Sequence, residues 1–165
     1  MSADLPPDFP ELLWAHICEV NPEDTERCQY LAQQAAYWAD GRHPDELGQV
    51  LDAMRDTRVY GVSIELLEAA WNSSATEAFR AQVAQDWVGT VLFGIGDPDG
   101  AVTVAEHITK TATSMSAGFL SDFADLLMEW GLLPAAFPIL KDLADRLPGD
   151  LTVRYNLATC HKFRG

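Results

Sequence analysis

Two pairs of metal-capable side chains stand close together along this chain, His16 with Cys18 and Cys160 with His161. Four such ligands could hold a soft cation if the two segments met. Neither pair has the spacing of a zinc site, however, and residues one or two apart on a helix point away from each other. Gly94-Ile95-Gly96 lacks the third glycine of a dinucleotide loop and the Lys-Ser/Thr of a phosphate loop. Asp97 and Asp99 flank Pro98, which reads as a turn; a calcium loop needs further oxygens and a late Glu. The four His residues are scattered and define no nucleophile–base geometry. The expectation is a chain with no metal, no cofactor and no catalytic residues, so its chemistry would be that of binding.

The elements available to position a binding surface are helical. Asn21-Pro22 with Glu23, Asp24 and Glu26 reads as a helix start, because Pro suits the first helical position and early acids oppose the positive helix end. Before it, a helix is expected from near Asp8. After it, Tyr30, Leu31 and Trp38 keep helical spacing as far as Gly41, and Leu47, Val50, Leu51 and Met54 continue after Pro44. Val59-Tyr60-Gly61-Val62 is the one stretch with β character, too short and isolated to build a sheet. Ile64, Leu67 and Trp71 form a further helical face, and Ser73 or Ser74 could cap the next segment. That segment, from about Thr76 to Phe93, puts Phe79, Val83, Ala84, Trp87 and Val91 on one stripe. Residues 94–100 read as a turn, and Ala101, Val104, Ala105 and Ile108 as another helix. Leu120, Phe123, Leu127 and Trp130 share a face that ends at Gly131. A helix beginning at Pro134 carries Ala136, Phe137, Leu140, Leu143, Ala144 and Leu147 and stops at Pro148-Gly149-Asp150. Pro138 falls about one turn inside it, where a missing donor costs little. Leu151 to Phe163 forms the last expected helix. Seven to nine helices and no sheet make the expected class all-α.

The composition sets limits on partners. The chain has 165 residues, 25 acidic against 11 basic, for a net charge of -14. That field repels nucleic-acid phosphates and anionic membrane surfaces, so neither is an expected partner. The charge is uneven: residues 1–115 hold 19 acidic and 6 basic side chains, and residues 116–165 hold 6 and 5. The acidic part serves either as a solvated surface that aids solubility or as a steering field for a basic partner. Three cysteines, Cys18, Cys28 and Cys160, make no disulfide framework and suit a cytoplasmic protein with reduced thiols. The first residues lack the basic start and apolar stretch of a signal peptide, and the longest apolar run, Trp87 to Gly96, is about half a spanning length.

Gly131 and Gly165 stand 34 positions apart, and each is expected to close a helix. With that period fixed, Ala136 and Ala144 fall where two helices approach closely, and Leu140 takes the large apolar place between them. Pro148 stands near the end of the unit, and Leu157-Ala158 begin the next. Residues 116–165 thereby resemble the tetratricopeptide repeat family, as one helical hairpin and the helix after it. Leu120 departs from that pattern, where Trp is typical, as does Ala124. An ordinary helical hairpin is the alternative. The expected organisation is an acidic all-helical region over residues 1–115, then a helical-hairpin array (an α-solenoid) over residues 116–165. Tyr30, Tyr37 and Gly41 with Leu47, Val50 and Ala53, and Trp87 to Ala105, could be worn copies of the same hairpin. Otherwise the first region is an unrelated helical domain, the reading preferred here.

The resemblance implies a groove lined by the first helix of each pair. Its residues would be Gly118, Ser121, Asp125, Met128 and Glu129, then Thr152, Tyr155, Thr159, Lys162 and Phe163. Such a surface would suit a peptide with an apolar anchor and a basic residue. Asn156 matches one Asn of the family's carboxylate clamp, but Ser121 and Asp125 stand where Lys and Asn would be needed, so a chaperone-tail clamp is not expected. Lys162 and Arg164 suit a solvated terminal helix. If instead the chain is a piece of a longer array, Tyr155 and Phe163 face a missing neighbour and the edge would favour a homodimer. The expected function is a non-enzymatic adaptor or scaffold for a peptide or protein. The alternatives are a dedicated chaperone or regulatory partner of a single client and, less favoured, an enzyme with its site in the N-terminal helices.

Overall fold

In the computed structural model, the residues described are 60–72 and 77–164, together with Asn21, Glu23, Asp24, Glu26, Arg27 and Tyr30. The expected helices between Asp8 and Thr57, the caps Ser73 and Ser74, and His16, Cys18, Cys28, Tyr37 and Gly41 lie outside them. So does Gly165. Every described element is a helix, and among the described residues there is no strand. No helix among them is long and apolar enough to cross a membrane.

The chain divides into two units, Met1–Ile95 and Gly96–Gly165. In the first, helix α1 (Tyr60–Trp71) packs against helix α2 (Glu77–Gly89), which runs on as a π-helical segment, Thr90–Ile95. The β character of residues 59–62 is overridden from Tyr60 onward. With no described strand to pair with, the backbone there satisfies itself in a helix whose Leu67, Ala70 and Trp71 are buried. The stripe expected on α2 is observed: Phe79, Val83, Ala84, Trp87 and Val91 are all buried. Arg80 closes the corner between the helices. Its Nε donates to the Trp71 carbonyl at 3.1 Å, and its guanidinium carbon lies 4.2 Å from the Trp71 ring centre. Gly94 continues the helix instead of turning. The Tyr60 ring lies 2.8 Å from where a Cβ would stand at Gly94, so the missing side chain makes room for it. Near the start of the chain, Asp24 Oδ1 accepts from the Arg27 backbone N–H at 3.0 Å, capping the helical residues Glu26, Arg27 and Tyr30.

The second unit holds α3 (Pro98–Thr111), α4 (Ala117–Glu129), α5 (Leu133–Arg146) and α6 (Leu151–Arg164). It takes in α3, which lies ahead of the repeat-like segment beginning at residue 116. The turn expected over residues 94–100 contracts to Gly96-Asp97. Asp97 Oδ1 accepts from Gly100 N at 2.9 Å, and Pro98 occupies the first turn, where its missing donor is harmless. Ser116 caps α4 in the same way through Phe119 N at 3.1 Å, and Asp150 caps α6 through Thr152 N and Val153 N. Pro138 sits at the sixth residue of α5, beyond the donors that are free in any helix start, so it removes a bond to the Pro134 carbonyl. Both prolines are exposed, which leaves that carbonyl open to water.

Helix α5 touches each of the other three helices in this unit. Its buried residues are Ala135, Ala136, Ile139, Leu140 and Leu143, an arc at helical spacing. They meet Phe119, Leu120, Phe123, Ala124 and Leu127 of α4, Ala101, Ala105 and Ile108 of α3, and Val153 and Cys160 of α6, which are buried in the same unit. The alanines let the helix backbones come close, and Ile139, Leu140 and Leu143 supply about 1.5–3 kcal/mol each on burial.

Gly131 ends α4 in a left-handed conformation, φ 76°. Its N–H bonds the Met128 carbonyl at 3.0 Å, and the Leu132 N–H bonds the Leu127 carbonyl at 2.8 Å, the paired bonds of a Schellman ending. A Cβ at Gly131 would meet nothing within 4 Å, so the requirement is purely conformational. Gly131→Ala should therefore lower stability by about 1–2 kcal/mol, the usual cost of a left-handed L-residue, without altering the helix content of the folded protein. Thermal unfolding followed by circular dichroism measures both quantities.

Candidate functional site

The surface expected to bind is built by α4 and α6, held on either side of α5. On α4 the buried residues Phe119, Leu120, Phe123, Ala124 and Leu127 take the inner face. Gly118, Ser121, Asp125, Met128 and Glu129 fall on the other, at steps of three, four, three and one. Gly118, Asp125 and Glu129 are exposed, and Ser121 and Met128 are half-buried.

Helix α6 has three sides, set by its register. Val153 and Cys160, seven apart, point inward, and the Cys160 thiol donates to the Leu133 carbonyl at 3.6 Å. Thr152, Asn156, Thr159 and Phe163, at steps of four, three and four, form a second side, next to α4. Arg154, Leu157, Ala158 and His161 form a third. Leu151, Tyr155 and Lys162 stand on the crest between the last two. Tyr155 is 72% exposed, Phe163 66% and Leu151 77%, a large apolar area for so short a helix. The Lys162 ammonium lies 5.5 Å from the Phe163 ring centre.

A side-chain hydrogen bond joins the two lining helices directly. Asn156 Nδ2 donates to Asp125 Oδ1 at 2.6 Å, across 31 residues of sequence. This contact uses one of the two Nδ2 hydrogens of Asn156 and holds neighbouring helices together. Partial burial and the neighbouring Asp122 carboxylate push the Asp125 pKa up, and the bond from Asn156 opposes them. Of the sequence-predicted residues, Asp125 thus forms the bridge itself, with Ser121, Met128 and Glu129 on the α4 side and Tyr155, Thr159, Lys162 and Phe163 on the α6 side.

The third side of α6 was not foreseen. Together with the end of α5 it forms an open depression of about 460 Å³, lined by Ala144, Pro148, Arg154, Leu157, Ala158 and His161. The His161 ring meets the edge of the Phe137 ring, centres 4.7 Å apart at 82°, and this fixes one wall. A sequence signal was present: residues 151–165 contain Arg154, Lys162 and Arg164 and no acid, in a chain that is otherwise strongly acidic. Cys160 and His161, weighed in the sequence as ligands and set aside, point apart: the thiol is buried toward α5 and the imidazole is exposed on another side. Among the described residues no group of three His, Cys, Asp or Glu could hold a metal.

No protein-family model matches the chain, and no curated protein or solved structure matches it either.

The Asp125–Asn156 bond is exposed, so its net worth lies toward the low end of the usual 0.5–1.5 kcal/mol, about 0.5 kcal/mol. A double-mutant cycle with Asp125→Ala and Asn156→Ala should return a coupling of that size in chemical unfolding. The pH dependence has a definite sign. A carboxyl whose pKa is raised by folding holds its proton longer in the native state, so its contribution to stability is greatest at low pH and is lost as pH rises through the folded pKa. Asp125→Asn keeps the acceptor oxygen and removes the charge. It should match wild type in melting temperature near pH 4 and equal or exceed it at pH 7; a variant less stable only at pH 7 would contradict the assignment.

Proposed function

We propose that this protein is a non-enzymatic binding module that holds a peptide or protein segment along the surface made by α4 and α6. The observation that carries this reading is the Asn156–Asp125 bridge between the two helices, flanked by Tyr155 and Phe163 at high exposure. The bridge fixes the spacing of the two lining helices, and the aromatics offer large, stiff contact area beside it. The spacing of elements supports the tetratricopeptide-like reading: α4 begins at Ala117 and α6 at Leu151, 34 positions later. Asp125 and Glu129 add two exposed carboxylates, so the segment bound would carry an apolar anchor and a basic residue one or two turns away.

The test is capture from the native host on immobilised full-length protein, wild type against the double variant Tyr155→Ala/Phe163→Ala, with the bound proteins identified by mass spectrometry. Both side chains are exposed, so the fold should survive. Removing two central aromatics should weaken a groove partner by at least about 30-fold, enough to lose it on washing. An unchanged set of captured proteins would sink the groove reading.

A further inference from the structure

The depression on the third side of α6 meets the groove just described only at the crest that carries Lys162. We propose that it is a second docking site, and that its occupant is an acidic amphipathic helix from a partner protein.

The floor of the depression is apolar and low. Ala144, Leu157, Ala158 and Pro148 supply it, and the two alanines let another backbone approach closely. Along α6 the wall is helical, so its backbone donors and acceptors are largely spent within that helix. An extended segment laid there would find few main-chain partners, whereas a helix satisfies its own. A helix is also about 10–12 Å across with side chains, and an open depression of about 460 Å³ can take one of its faces.

The charge fixes the sign of the partner. Arg154 and His161 stand on the rim, Lys162 on the adjoining crest, and Lys141 lies on α5 one turn from both Phe137 and Ala144. Among the described residues, Lys141, Arg154 and Lys162 form no ion pair. Of the acids at this end of α5, Asp142 pairs with Arg146 at 2.9 Å and Asp150 caps α6, while Asp145 is exposed one turn from Lys141. With Arg154 on the rim and Lys141 and Lys162 nearby against the exposed Asp145, this face carries an excess of cations beside an apolar floor, the complement of a helix with Leu or Ala on one face and Glu or Asp along its flanks. A second copy of this chain is the weaker candidate, because a two-fold contact would set α6 cations against one another.

The experiment uses the full chain and two fluorescein-labelled probes of about 16 residues, each held helical by a hydrocarbon staple because free peptides of that length are marginal. Both carry Leu and Ala on one face; one has Glu on its flanks and the other Lys. Fluorescence anisotropy should show the Glu probe binding at least about tenfold tighter than the Lys probe. Arg154→Glu, a change at an exposed position whose helicity circular dichroism can verify, should reverse that preference. Ala158→Trp should fill the floor and weaken the Glu probe by at least about tenfold. Equal binding of the two probes, or binding of neither, overturns the proposal, as does a preference that survives Arg154→Glu. Self-association in sedimentation velocity that Arg154→Glu abolishes would make a second copy the occupant and would also overturn it.

Discussion

Helix α5 has to bury one arc against three neighbours at once, and the rest of the second unit follows from that constraint. Ala135, Ala136, Ile139, Leu140 and Leu143 cover well under half of its circumference, yet α3, α4 and α6 all pack on it. Three helices can share so narrow an arc only if the contact residues alternate small with large, because bulky side chains throughout would hold the backbones apart. Buried Ala101, Ala105, Ala124 and Ala136 meet that need, and the Leu and Ile side chains fill the space between. Shared packing on α5 also brings α4 and α6 near each other. The Asp125–Asn156 bond then selects one register from those the packing allows. Its worth is a fraction of the several kcal/mol in the buried arc, so it refines the arrangement and does not cause it.

The helix ends matter for the same reason. Packing along a single arc leaves α4, α5 and α6 free to slide or splay unless their connections are short. Trp130–Leu132 and Leu147–Asp150 provide connections of three and four residues between them. The first needs a left-handed residue at Gly131, and the second ends on an Asp side chain that caps α6. A looser connection would preserve the helices and lose the fixed spacing of the surface they present.

Much of the second unit was legible in the sequence because its signals agree. The period of Leu120, Phe123 and Leu127, the stop at Gly131, the start at Pro134 and the stop at Pro148-Gly149 all point to the same helices. Where signals disagreed, the tertiary context decided. Val59 to Val62 has strand-forming residues, yet from Tyr60 it is helical, because burying Leu67 and Trp71 outweighs a weak local preference. Gly94 looked like a turn and instead extends a helix, since the need for a small residue there comes from the Tyr60 ring 34 positions away. Pair contacts of that separation leave no periodic trace. The groove positions on α4 and α6 came from the repeat resemblance, and the bond between Asp125 and Asn156 was not legible.

The two sides of α6 show why exposure alone is a poor guide to a binding surface. Tyr155 and Phe163 were named from the repeat resemblance as groove residues, and both are exposed. The other side holds no large exposed apolar residue among Arg154, Leu157, Ala158 and His161; what marks it is concavity and the sign of its charge. A helix with no acid in a chain with 25 acidic residues gains nothing in solubility from that exception, because the chain's net charge already keeps copies apart. Its cations also do little for α6 itself. Arg154 lies in the first turn, where a positive charge opposes the helix dipole, and only Lys162 and Arg164 sit at the favourable end. An unfavourable placement, without an ion pair among the described residues, on the rim of an apolar hollow is better accounted for by an external acid than by the stability of the helix that carries it.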